Sequence, residues 1–311
     1  MSNDVSLVAQ SPEEVLCAVP YLLGFHPEDS LVVVALCDRR VLFTARVDLE
    51  LAVFEAPRLR DVVLQHGAQT VLLLAFAEKP NSARSVLGEV VDRFGEVDVA
   101  DALISDGRCW WSLYCDDEEC CPATGTAYDV SASRFAAEAV AAGLPALRSR
   151  SELAEQVGGP GRDELAAVRA VFEEVLPVLA DWDIAERQDR VVHLVERFEV
   201  RRGLPATDCA ELAVLCHDPL VRDQVLLRMR RCDAQRHLAL WTRVVSVSAA
   251  PFEVAPLCLL ALAAWLSGNG ALQVVCMERA EKINPGFSLL GLLNDIHDHA
   301  LAPSRWDALA A

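Results

Sequence analysis

The chain has 311 residues, 53% of them hydrophobic and 24% charged, with a formal net charge of −18. That length supports two domains of ordinary size, each with its own core, so neither metal nor disulfide is needed for bulk stability. The acidic balance, spread over both halves, argues against nucleic-acid and anionic-membrane partners, which require a broad positive field.

Eleven cysteines are scattered through apolar segments, as at Cys17, Cys37, Cys209, Cys216 and Cys258, and read as reduced core residues. The opening MSNDVSLVAQ has no basic and apolar leader pattern, and the expected location is cytoplasmic. The longest apolar stretch, Ala255 to Leu266, is shorter than the roughly 18 residues of a membrane helix.

Residues 1–10 read as a flexible tail. Ser11-Pro12-Glu13-Glu14 then predicts a helix start, with a serine cap, proline in the first turn and glutamate closing a capping box. That helix runs to Gly24 and bends or restarts at Pro20. Leu31 to Leu36 is a continuous apolar run suited to a central strand. Val41 to Leu49 alternates, with Val41, Phe43, Ala45, Val47 and Leu49 on one face, and Cys37 to Arg40 joins the two as a hairpin.

A short helix is expected from Pro57 to His66 and a buried strand from Val71 to Ala77. A helix capped by Asn81 or Ser82 follows, with an apolar stripe through Ala83, Val86, Leu87, Val90, Val91 and Phe94, ended by Gly95. Val97 to Ile104 reads as a strand, Asp106-Gly107 as a turn, and Arg108 to Tyr114 as the antiparallel partner. Ser131 is expected to cap a helix reaching Gly143. Alternating strands and helices with two hairpins predict an α/β domain with a mixed sheet over residues 11–147.

Residues 148–163, with Gly158-Gly159-Pro160-Gly161, read as a linker. Beyond it strand signals stop, and residues 164–311 predict an all-α domain of helical hairpins. Its helices are expected at about 163–180, 184–202, 208–216, 219–231, 234–247, 252–267, 271–283 and 287–301. Gly268-Asn269, Ala280 and Asn284-Pro285, with Trp265 just before, follow the spacing of one tetratricopeptide-like hairpin. No 34-residue period repeats, so that likeness is local.

The segment with pointed chemistry is CDDEECCP, Cys115 to Pro122, in a loop expected over 115–125. Its four carboxylates tolerate a cation, and the C-x4-C spacing falls within reach of zinc ligation. Cys115, Cys120 and Cys121 are therefore candidate metal ligands and zinc the candidate cofactor; the alternative is a structural turn. The same carboxylates should raise thiol pKa values and oppose a reactive thiolate. Cys109 is expected to lie too far along a continuous strand to help.

His26, Arg46 and Asp48 form a candidate ligand or partner patch, with a solvated ion pair as its plainer reading. Arg228, Arg231 and Trp265 form a candidate partner surface on the helical side. Asp295, His297 and His299 do not make a metal site, because no histidine pair has the required helical spacing. The common nucleotide, hydrolase and zinc-protease motifs do not occur.

Pro20 through Val32, Ala45 through Leu49, and Trp111-Ser112 with Cys115, Cys120, Cys121, Pro122 and Gly125 together resemble an actinobacterial family of unknown function, domain 4192. The matching residues include Gly24, Phe25, Pro27, Ser30, Arg46, Asp48, Cys120 and Cys121; similarity extends through Trp265 to Pro285. The resemblance implies a cytosolic protein without an assigned activity, and it does not tie the position of His26 to histidine. The expected function is a non-enzymatic protein-interaction or regulatory module. Its rival is an enzyme or small-ligand sensor with a pocket near Arg46, Asp48 and the cysteine loop.

Overall fold

A computed structural model describes residues 9–141 and 146–309. The chain divides into two compact units, Met1–Arg150 and Ser151–Ala311. Most of the tail expected over 1–10, and the helix end expected at Gly143, lie outside the described residues.

The first unit is built on a six-stranded mixed sheet in the order β2-β1-β3-β4-β5-β6. Its strands are β1 (Ser30–Cys37), β2 (Arg40–Asp48), β3 (Thr70–Phe76), β4 (Asp98–Ser105), β5 (Cys109–Ser112) and β6 (Thr126–Ala127). Only β3 and β4 run parallel, joined through a crossover helix; the other neighbours are antiparallel. The β1–β2 hairpin turns on Asp38 and Arg39, both at positive φ, the geometry that a two-residue connection needs to match strand twist.

On one face, Leu31, Val33, Ala35, Val71, Leu73, Ala75, Ala102 and Ile104 form the core with α2 (Ala52–Gln65) and α3 (Pro80–Phe94). Of the expected stripe, Ala83, Leu87, Val90 and Phe94 are fully buried and Val86 and Val91 pack partly buried against the same core. Alternation sends Val32, Val34, Leu74 and Leu103 to the other side, where they are also buried. In the same unit, α1 (Pro12–Leu23) packs with α4 (Arg134–Ala141).

Several local expectations shift. Pro57 lies inside α2, which begins at Ala52 after a 3-10 turn over Leu49–Leu51. The cap of α3 is Lys79 without a side-chain bond; Ser82 instead donates to the Lys79 carbonyl. Ser131 is held in a turn by Asp129, and the hydroxyl of Ser133 accepts the Ala136 N–H at the start of α4. Val41 is exposed because the β1–β2 register shifts at Ala35/Leu36, displacing it from the alternating face.

The second unit is helical. It contains α6 (Leu165–Ala180), α7 (Ile184–Arg197), α8 (Ala206–Leu215), α9 (Pro219–Leu226), α10 (Ala234–Ser246), α11 (Val254–Leu266), α12 (Gly270–Ile283), α13 (Ser288–Asp298) and α14 (Ser304–Leu309). Another helix, α5 (Arg150–Gln156), occupies part of the stretch that reads in sequence as a linker. Every residue of α11 is buried, which accounts for its uniformly apolar sequence as a central core helix. It forms a hairpin with α12 across Ser267–Asn269, and Asn269 caps the second helix by accepting the Leu272 N–H. No helix among the described residues is long and apolar enough to cross a membrane.

Candidate metal centre

The cysteine loop is the connection of a short hairpin at one side of the sheet. β5 pairs with β6 in the register Cys109↔Ala127 and Trp110↔Thr126, so the chain must leave Ser112, form its loop and return by Thr126. Two contacts brace the return. The Trp111 indole N–H donates to the Ala123 carbonyl at 3.1 Å, and the Gly125 N–H to the Pro122 carbonyl at 2.7 Å. Gly125 has φ +81, and a Cβ there would lie 2.6 Å from the Trp111 ring and 2.9 Å from the Cys109 Cβ. Glycine is thus required both by backbone conformation and by space.

Within the loop, Asp117 acts as the folding centre. Its carbonyl accepts the N–H groups of Cys120 and Cys121, and its carboxylate accepts that of Glu119 at 2.9 Å. This one-turn wrap carries Cys120 and Cys121 back towards Cys115. The three Sγ atoms lie within 4.8 Å of one another. No disulfide joins them, and all three are free thiols.

A tetrahedral zinc–thiolate centre with Zn–S near 2.3 Å sets its sulfurs about 3.8 Å apart. The observed cluster therefore needs a contraction of only about 1 Å to meet that geometry. Cys120 is exposed, Cys115 and Cys121 half-buried, so the adjustment falls on surface loop atoms.

The thiols do not share one electrostatic state. The Asp117 backbone N–H, followed by the Cys121 thiol, holds the Cys115 thiol below its ordinary range. Burial, followed by Cys115 and Cys120, pushes Cys121 up to about 12. Here the sequence expectation is corrected: the neighbouring carboxylates do not dominate Cys115, because a donor on the backbone of one of those same residues outweighs their repulsion. Of the three thiols, Cys115 is thus the one whose ionisation hydrogen bonds favour, and burial opposes that of Cys121.

Cys109 stays outside the cluster, although β5 ends at Ser112 instead of continuing to Tyr114. The cluster borders a cleft of about 590 Å³, lined by Cys115 and Cys121 with Arg84, Trp111, Ser112, Asp116 and Glu118 among others. Arg84 comes from α3 and donates to the Ser112 carbonyl at 3.3 Å. No sequence signal marked Arg84, because only the crossover packing of α3 brings it beside the loop; Ser112, at the end of β5, stands in the stretch that carries the family resemblance.

The other candidate residues are placed elsewhere. Arg46 and Asp48 pair at 2.6 Å on edge strand β2, and the Arg46 Nε donates to Ser30 at 2.8 Å. Ser30 is fully buried and donates in turn to the Glu28 carbonyl. The guanidinium is thereby committed to fastening the end of β2 to the start of β1. Four strand spacings of about 4.8 Å separate β2 from β5, roughly 19 Å, and neither Arg46 nor Asp48 lines the cleft beside the cysteine loop. His26 bonds through its backbone N–H to the Leu147 carbonyl, and burial lowers its side-chain pKa.

In the helical unit, Arg228 is exposed and bonds to Gln224, while Arg231 pairs with Asp307 at 3.7 Å. Trp265 is corrected from surface to core. It is 7% exposed, its indole N–H donates to the Leu301 carbonyl, and its ring meets Trp306 edge to face.

Comparison with known families matches residues 12–304 to the Domain of unknown function (DUF4192). The chain belongs to the DUF4192 family. Membership takes in the α/β unit with its cysteine loop and nearly all of the helical unit. No curated protein and no solved structure matched the chain.

Proposed function

We propose that this DUF4192 protein is a metal-responsive regulatory module, in which Cys115, Cys120 and Cys121 hold one thiophilic cation and a protein partner reads the state of that site. The observation that carries the reading is the convergence of three free sulfurs within 4.8 Å. Soft thiolate ligands select zinc, copper(I) or iron–sulfur clusters among biological metals, and zinc, a d10 ion without a d-electron geometric preference, suits a surface loop. Three thiolates and a dication sum to one negative charge, and Asp116, Asp117, Glu118 and Glu119 add a field that retains cations.

Placing the site on an exposed hairpin loop favours regulation over bulk stabilisation. The core of the α/β unit is complete on the sheet without it, so metal loading changes the loop and its surface while the fold persists. A net charge of −18 favours a protein partner over nucleic acid or an anionic membrane. A cytoplasmic location, where thiols stay reduced, is consistent with eleven free cysteines.

The cleft beside the cluster supports a second reading, a small-ligand sensor or enzyme in which the metal faces a bound molecule. Arg46 and Asp48 have no part in it.

A pull-down from native lysate, run with zinc and with a chelator, tests the leading reading. A stoichiometric partner whose recovery falls at least about tenfold on chelation, and likewise for a Cys115→Ser, Cys120→Ser, Cys121→Ser triple variant, is the expected result. Recovery of no such partner, or equal recovery by the triple variant, contradicts it.

A further inference from the structure

Three cysteines would fill three positions of a tetrahedral ion, and a fourth donor would have to complete it. Among the described residues, no further His, Cys, Asp or Glu joins the cluster. Cys115 and Cys121 instead line the cleft of about 590 Å³, a volume suited to a small molecule. A molecule in the cleft would thus lie beside two of the three sulfurs that would hold the metal.

The chemistry of that corner follows from charge. A dication bound by three thiolates is a weak Lewis acid, since the ligands have more than neutralised it. It polarises water less than a histidine-bound zinc does, and it prefers a soft sulfur donor over hard oxygen. The walls contribute Arg84 as a cation and Asp116 and Glu118 as anions. A ligand bearing both a carboxylate and an ammonium group complements these walls.

We infer that the cleft binds a small amino-acid thiol whose sulfur becomes the fourth ligand of the metal. The S–H bond breaks as the sulfur–metal bond forms, and the proton passes to solvent. This inference rests on the metal reading above and names the ligand class of that site.

Cobalt(II) added to the full chain serves as the probe, because each cobalt–thiolate bond adds to a sulfur-to-metal charge-transfer band. Adding L-cysteine is expected to raise that absorbance per protein-bound cobalt by about one third, as three sulfurs become four. L-serine, identical but for the sulfur, leaves it unchanged. Cysteamine, which lacks the carboxylate, is expected to bind about tenfold more weakly than L-cysteine, and Arg84→Ala to erase that difference.

Ultrafiltration keeps the outcomes separate. A strong initial band that L-cysteine does not change, or cobalt carried into the filtrate by L-cysteine, overturns the thiol inference and leaves the metal site standing. Absence of any sulfur-to-cobalt band before L-cysteine is added overturns both.

Discussion

At the residue scale, one glycine sets the loop. Gly125 adopts φ +81 against the face of Trp111, and both ends of the loop depend on that contact. Gly125→Ala is expected to destabilise the α/β unit by about 2 kcal/mol or more, combining left-handed backbone strain with a displaced indole. Urea unfolding followed by tryptophan fluorescence measures it; a change below about 0.5 kcal/mol would remove Gly125 from this role. The residue-level chemistry was partly legible. CDDEECCP advertises thiols beside carboxylates, yet the effect of the Asp117 N–H on Cys115 depends on a wrapped backbone that spacing does not reveal. Trp265 illustrates the converse: an aromatic at a repeat-like position was open to a surface reading, and only the packing of Leu301 and Trp306 around it shows it to be core.

At the element scale, the strong signals were periodicity and turn chemistry. The run Leu31 to Leu36 became β1, and the stripe of α3 sits on the sheet as its spacing demands. Boundaries failed where two residues competed for one role. Pro57 reads as a helix start, but α2 begins five residues earlier at Ala52 and carries Pro57 inside it, giving up the N–H that proline lacks. Ser131 and Ser133 both suit a cap, and Asp129 decided between them by binding the first. In the helical unit, α7 starts at Ile184 as expected, behind an Asp183–Glu186 capping box, but ends at Arg197 instead of 202, and α9 stops at Leu226, five residues before the expected end at 231. The placement of Arg84 beside the cysteine loop was illegible for a different reason. It depends on how the crossover helix packs beyond β4, a long-range fact without local signature.

At the scale of the whole molecule, each unit carries a histidine that resists protonation, half-buried at His26 and buried at His237. Burial lowers the pKa of His26 in the α/β unit and of His237 in the helical unit from the ordinary 6.5. The unfolded chain therefore takes up protons near pH 6.5 before the folded chain does. Stability is fully present above that value and falls as pH drops towards the folded pKa values. Asp101 and Glu253 act oppositely, since burial raises both, and their influence begins above 3.8 and 4.5. Urea midpoints are expected to fall between about pH 7.5 and about pH 6, and less so in a His26→Gln, His237→Gln variant. An unchanged or rising midpoint would contradict the assignment.

The acidic, two-unit architecture and the thiol loop converge on one claim, that the α/β unit carries a cation on three cysteines. Elemental analysis of protein purified without chelator addresses it directly, with the triple cysteine-to-serine variant alongside. The account predicts about one equivalent of zinc, or of another thiophilic metal, per chain and a loss of at least about nine-tenths of it in the variant. Less than about one-tenth of an equivalent in the parent protein, or equal loading of the variant, would contradict the account and leave CDDEECCP as a structural turn.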